Sequence, residues 1–255
     1  MEDALVWQLV DSAFPTGAFA HSLGLESAWH HGEIASRDDL RRFVEATILQ
    51  AASGALPLVN GAYREPSRLA EWDALNDAFL SNAVGNRASR QQGRTLVASA
   101  ARIWALPALE ALQRRITSSP NAQRPTPNAQ SPTPNAQSPT PNERPTPNVH
   151  TSTSQSCAHV APVTGAVFAA LGIPLETTQR VVLFVAARGV LSAAVRLGVI
   201  GSYDAQRLQS DSVAWATTVH GRYRHAGPDD LAQTAPVIDL LQGAHDRLYS
   251  RLFQS

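Results

Sequence analysis

The sequence contains no lysine: all 21 basic side chains are arginine. That absence excludes a phosphate-binding P-loop, whose phosphate-reaching group is a lysine. It also excludes lysine Schiff-base chemistry, pyridoxal phosphate attachment included. The single cysteine, Cys157, leaves no intrachain disulfide, multi-cysteine zinc site or iron–sulfur cluster. Net charge is zero, without the basic excess that follows a nucleic-acid backbone, so nucleic acid is not an expected partner. Long hydrophobic runs are scarce as well. The longest, Val181 to Leu197, is interrupted by Arg188 and Arg196 and reads as a buried helix rather than a membrane span. The acidic opening, Met1-Glu2-Asp3, does not read as a secretory signal. The expectation is a soluble cytoplasmic protein.

Proline, by contrast, is plentiful but unevenly placed. Of 17 prolines, nine lie between Ser118 and Ser156, where NAQRPTP, NAQSPTP, NAQSPTP and a shortened NERPTP follow one another. The only apolar side chains there are Ala122, Ala129, Ala136 and Val149. Such a segment buries too little surface to offset its ordering entropy, so 118–156 reads as a disordered, polyproline-like insertion. Proline at this frequency forbids the helix that a coiled coil would need. The insertion reads as a tolerated surface loop, with a docking ligand for a proline-reading groove as the alternative. Setting it aside leaves 1–117 and 157–255, read as two halves of one helical domain.

The remainder carries helical periodicity. Between Ser36 and Leu56 the positions Leu40, Phe43, Val44, Ile48 and Ala51 share a face, and Ser36 with Asp39 forms a capping box. Pro66-Ser67 opens a helix with Leu69, Trp72, Leu75, Phe79 and Leu80 on one side. Arg87 to Trp104, Pro107 to Ile116, Pro162 to Leu171, Glu176 to Val199, Ala205 to Thr218 and Asp230 to Phe253 continue the pattern. Pro57, Pro107, Gly172-Ile173-Pro174, Gly201 and Gly227-Pro228 punctuate it. The fold class is all-α: a single compact bundle of about eight to ten helices.

Catalytic signatures are missing. His30 and His31 are adjacent and diverge on a helix; His220 and His225 flank Gly221–Arg224, read as a loop. No HExxH motif, His/Cys ligand spacing or GxSxG elbow appears, and Cys157 near His159 reads as incidental. The opening block, Asp11 to Glu26, stands out: Pro15 and Gly17 break a first helix, and a second is expected from His21. Gly24 then falls inside that second helix, at a cost of about 1 kcal/mol relative to alanine, which close backbone approach would justify. Arg188 and Arg196 lie on one side of a very apolar helix, needing partners within the fold or at an interface. Leu252 and Phe253 either dock back on the bundle or enter a partner.

Taken in order, these blocks resemble the urease accessory protein F family. The stretch DSAFPTGAFAHSLGLESAWHHGEI carries a Pro-Thr-Gly, His-Ser, Gly-Leu-Glu signature. Asn86 to Gly93, His159 to Gly165, the Arg196-Leu197 turn reaching Gly201, and the closing Arg251-Leu252-Phe253 are similar to further family segments. Departures are Ala18 and Ala20, where the family often has glycine and serine, Ser202 for a common glutamine, and Gln254 for a basic residue. The resemblance implies an all-helical, non-catalytic maturation factor for a nickel enzyme. It implies a homodimer that binds the D-type accessory protein (H in some bacteria), recruits the G-type GTPase and serves apo-urease, with nickel handled by the complex and no cofactor of its own. Carried over, the partner-binding residues are Pro15, Thr16, Gly17, His21, Ser22, Glu26, Arg196, Gly201, Arg251, Leu252 and Phe253. Two rival readings are a passive helical scaffold and a metal-dependent hydrolase using His21, His30 and Glu26.

Overall fold

Side-chain caps and left-handed turns cut the chain into its helices. The computed structural model describes residues 2–118 and 158–254; Cys157 and the repeat strip, apart from Ser118, lie outside the described residues. The α-helical segments are α1 (Glu2–Val10), α2 (Leu25–His30), α3 (Arg37–Gln50), α4 (Leu56–Arg64), α5 (Leu69–Phe79), α6 (Ala83–Trp104), α7 (Pro107–Thr117), α8 (Val160–Ala170), α9 (Leu175–Arg196), α10 (Ser202–Tyr223) and α11 (Pro236–Ala244). A π-helical turn, Ala51–Ala55, fuses α3 and α4 into one rod, which leaves ten helices and no strand among the described residues. The all-α expectation holds.

Several boundaries move, each for a local reason. Ser36 and Asp39 form the expected capping box, the Asp39 amide donating to Ser36 Oγ at 3.2 Å and the Ser36 amide to Asp39 Oδ2 at 2.8 Å. Pro57 does not end that helix: the wider π turn before it carries the chain into α4 with proline in the first turn, where its missing N–H costs little. α6 begins four residues before Arg87, because Asn82 Oδ1 accepts the Gly85 amide at 2.7 Å. α10 runs through the expected Gly221–Arg224 loop as far as Tyr223.

The largest correction is the expected helix over Asp230 to Phe253. Only Pro236–Ala244 is α-helical, followed by a 3-10 turn at His245–Arg247. Upstream, the Ala232 amide bonds Ser53 O, and the Thr234 and Ala235 amides share Gln50 Oε1. Downstream, three amides bond groups of the opening block. An amide already partnered across the fold has no use for a helix.

Two large apolar clusters and a small one around Leu58, Val59 and Ala161 form the core, and each draws on both sides of the strip. One of the large clusters joins Leu96, Leu109 and Ile116 to Val163, Val167 and Phe168. The other joins Leu25, Leu40, Ile48 and Leu56 to Leu183, Val190, Leu208 and Phe253. α8 lies against α4, α5, α6 and α9. α9 is apolar and long enough to cross a membrane by length and composition, but it packs on α2, α3, α4, α8 and α10 as a bundle helix.

Candidate partner-binding site

Glu26 organises the site. It sits in the first turn of α2, and its carboxylate is almost completely buried. The helix begins at Leu25, one residue after Gly24, which is therefore the cap and not the interior position expected. Gly24 has φ +86°, and a Cβ there would lie 3.2 Å from the Ile238 carbonyl and the Gln242 amide of α11. Glycine thus lets α11 rest on the start of α2.

A buried carboxylate needs hydrogen-bond donors and a counter-charge. Glu26 Oε2 lies 2.8 Å from His245 Nε2, whose ring is fully buried. Its two oxygens also accept the main-chain amides of Leu252 and Phe253. The Gln254 amide continues the line to Ala20 O at 2.8 Å. Phe253 is buried in the core, and the Arg196 guanidinium stands 4.2 Å from its ring centroid. Phe253 therefore docks back on the bundle, while Leu252 beside it stays exposed. Both helix arginines also find a role: Arg196 covers Phe253, and half-buried Arg188 lies 5.9 Å from the Phe184 ring centroid.

His21 lies in the same neighbourhood. Burial, then His245 and Arg87 beside it, bring its imidazole down from the ordinary 6.5 to about 4. At the rim, Asp246 receives Arg87 at 3.0 Å and Arg251 at 3.3 Å.

Fold thus brings together His21, Glu26, Arg196, Arg251, Leu252 and Phe253 from three separate sequence blocks. Ser22 is buried just before α2. Pro15, Thr16 and Gly17 form an adjoining turn that contacts α6 instead: Ser99 Oγ donates to Pro15 O at 2.8 Å. Gly201 caps α10 with φ −75° and open space around it. The backbone of that turn depends on Gly198. It holds φ +72°, with the Gly198 amide on Val195 O and the Val199 amide on Ala194 O, a Schellman closure of α9. Sequence reading missed His245, Asp246 and Arg87, because none has a spacing relation to Glu26 along the chain.

The segments Asn86 to Gly93 and His159 to Gly165 meet in a second polar cluster. Asp73 accepts the Ala158 and His159 amides, capping α8. His159 Nε2 contacts Asp77 Oδ1 at 3.0 Å, and its Nδ1 contacts Ser89 Oγ at 3.2 Å. Burial lowers the His159 pKa despite the opposing pull of Asp73 and Asp77. The neutral ring therefore donates to Asp77 and accepts from Ser89, while the Val160 amide donates to Ser89 Oγ. Ser, His and Asp in series look like a nucleophilic triad, yet Ser89 is buried and its oxygen already accepts the Val160 amide. The cluster is a staple for the start of α8. No group of three His, Cys, Asp or Glu able to hold a metal exists among the described residues.

The UreF family model matches residues 34–213. The chain belongs to the UreF family. It is 33% identical over 253 residues to a urease accessory protein F of Arabidopsis thaliana, covering 98% of this chain and 91% of that one. A urease accessory protein F of Oryza sativa subsp. indica is also 33% identical, over 97% of this chain and 83% of its own. A urease accessory protein UreF of an Arthrobacter species is 27% identical over 97% and 95%. Membership implies a role in urease maturation as an accessory protein.

The face of α11 turned away from α2 and α6 carries Val237 and Leu240, 62% and 72% exposed, and the closing segment adds Tyr249 and Leu252, also exposed. Large apolar side chains grouped at a surface mark association sites.

Proposed function

We propose that this chain is a non-catalytic nickel-insertion chaperone for urease, acting in the cytoplasm as a homodimer and without a cofactor of its own. It binds the D/H-type accessory protein, recruits and regulates the G-type GTPase, and so serves apo-urease while its nickel centre is assembled. Family membership supports the maturation role. The observation that carries a partner-binding mechanism is the exposed apolar rim on α11 and the closing segment, beside residues that resemble the family signature. The missing lysine fits this arrangement, since a GTPase partner supplies the P-loop.

Val237→Asp and Leu240→Asp place charge on that rim without touching the core. Co-purification of the D/H-type protein and the GTPase is expected to weaken by about tenfold or more, as for loss of an interface hot spot, with helical circular dichroism unchanged. Undiminished co-purification sinks the assignment of this face. The passive-scaffold alternative is separated by GTP hydrolysis of the partner GTPase, measured with and without this chain and the D/H-type protein. Equal rates favour the scaffold.

A further inference from the structure

The manner in which the closing segment is held differs from the rest of the fold. Three consecutive main-chain amides, those of Leu252, Phe253 and Gln254, are read by one carboxylate and one carbonyl, Glu26 and Ala20 O. A single side chain, Phe253, anchors the segment, while Tyr249, Ser250, Arg251, Leu252 and Gln254 are exposed. The other groups around it are His245 on the 3-10 turn, His21 before α2, Arg87 on α6, and the rim pair Asp246 and Arg251. Rim ion pairs at this exposure add little. Glu26 also bonds His245, which stands outside residues 251–254, so one of its partners does not belong to the segment it receives. Backbone reading beside one aromatic pocket is the pattern of a peptide site.

We propose that residues 251–254 are a releasable strap occupying a peptide-binding seat. The seat comprises the Glu26 carboxylate and Ala20 carbonyl, which bind extended backbone, and an apolar pocket under Arg196, which takes an aromatic side chain. The segment leaves as a local unit while α2, α9 and α11 stay folded. Its vacancy exposes a site for an extended segment with an aromatic residue between two free amides, the chemistry that the strap itself carries.

The test uses the full chain alone, so its outcome is independent of the urease-maturation reading. In wild type, amide hydrogen exchange at Leu252, Phe253 and Gln254 is expected to be slower than in an unstructured peptide but faster than in the middle of α9. Glu26→Gln halves the acceptor set, and Arg196→Met removes the cation over the ring. Each is expected to speed exchange at the strap about tenfold or more, with α9 protection and far-UV circular dichroism unchanged. Arg196 is exposed, so its variant carries the test if Glu26→Gln fails to fold. A labelled peptide of sequence SRLFQS should then bind saturably to a Phe253→Ala chain, whose pocket is empty, and at least tenfold more weakly to wild type. Strap protection lost only in step with α9 overturns the releasable unit. Failure of the peptide to bind the Phe253→Ala chain overturns the seat.

Discussion

Gly93 faces the tightest approach near the α8 staple: a Cβ built on it would stand 2.0 Å from the Ala158 carbonyl oxygen, on a residue whose amide Asp73 already holds. Gly93→Ala should therefore cost about 3 kcal/mol or more, measured by urea unfolding, at the upper end of overpacking effects. Gly201, with ordinary φ and open surroundings, should tolerate alanine within about 0.5 kcal/mol. A partner-binding defect in Gly201→Ala at normal stability would mark it as a contact residue. His21 supplies a pH dependence. Its folded pKa of about 4 lies below the ordinary 6.5, so the unfolded chain takes up the proton first as pH falls. Stability present above pH 6.5 is then lost progressively toward pH 4. Burial lowers His159 and His220 in the same sense. Unfolding midpoints measured from pH 7 to pH 4 should fall, and His21→Gln should flatten part of that slope. An unchanged slope in the variant assigns the acid sensitivity to other groups.

At the scale of elements, partners outside the helix determined where helices stopped. The capping box at Ser36 and the proline start of α7 were legible because their chemistry is local. The end of α10 was not. His220 sits within the helix, its Nε2 donating to Gln179 Oε1 at 2.9 Å while the Gln179 amide meets Asn60 at 2.6 Å. That buried chain turns a segment resembling a loop into helix. Asn82 ties two elements: it caps α6, and its side-chain nitrogen reaches Asp239 and Gln242 on α11. Asn82→Ala should lower stability by about 1–2 kcal/mol, the range for a lost N-cap. The loss should also loosen α11, seen as faster amide exchange there than in α9. Equal exchange in both would show that the cap alone accounts for the cost.

For the whole molecule, the question is whether the halves on either side of the strip are separate units. Both large core clusters mix residues from before 118 and after 158, so neither half retains a complete apolar interior. Expressed apart, residues 1–118 and 158–255 should each show little cooperative unfolding, and mixing them should restore helicity and a single transition. Independent cooperative melting of either half would make it a domain in its own right. The docking of the closing segment belongs to this scale too. Removing Arg251–Ser255 takes away two amide donors to Glu26 and uncovers the Phe253 pocket. A truncation therefore empties the seat at Glu26 as well as altering the surface, and charge substitutions on α11 are the cleaner probe of partner binding.

The sequence by itself determined the helical class, because apolar spacing and capping chemistry act over a few residues. It also excluded lysine-dependent chemistry, and its signature blocks pointed to the urease accessory family. What it could not decide was which of those blocks touch. Glu26 lies more than a hundred positions from Arg196, His245 and Phe253, and no local rule links it to them. A buried carboxylate, however, must find its donors wherever the fold can bring them. Only the tertiary structure shows that His245 and the amides of 252 and 253 fill that need. It also shows that the Arg188 and Arg196 guanidiniums stand by the rings of Phe184 and Phe253.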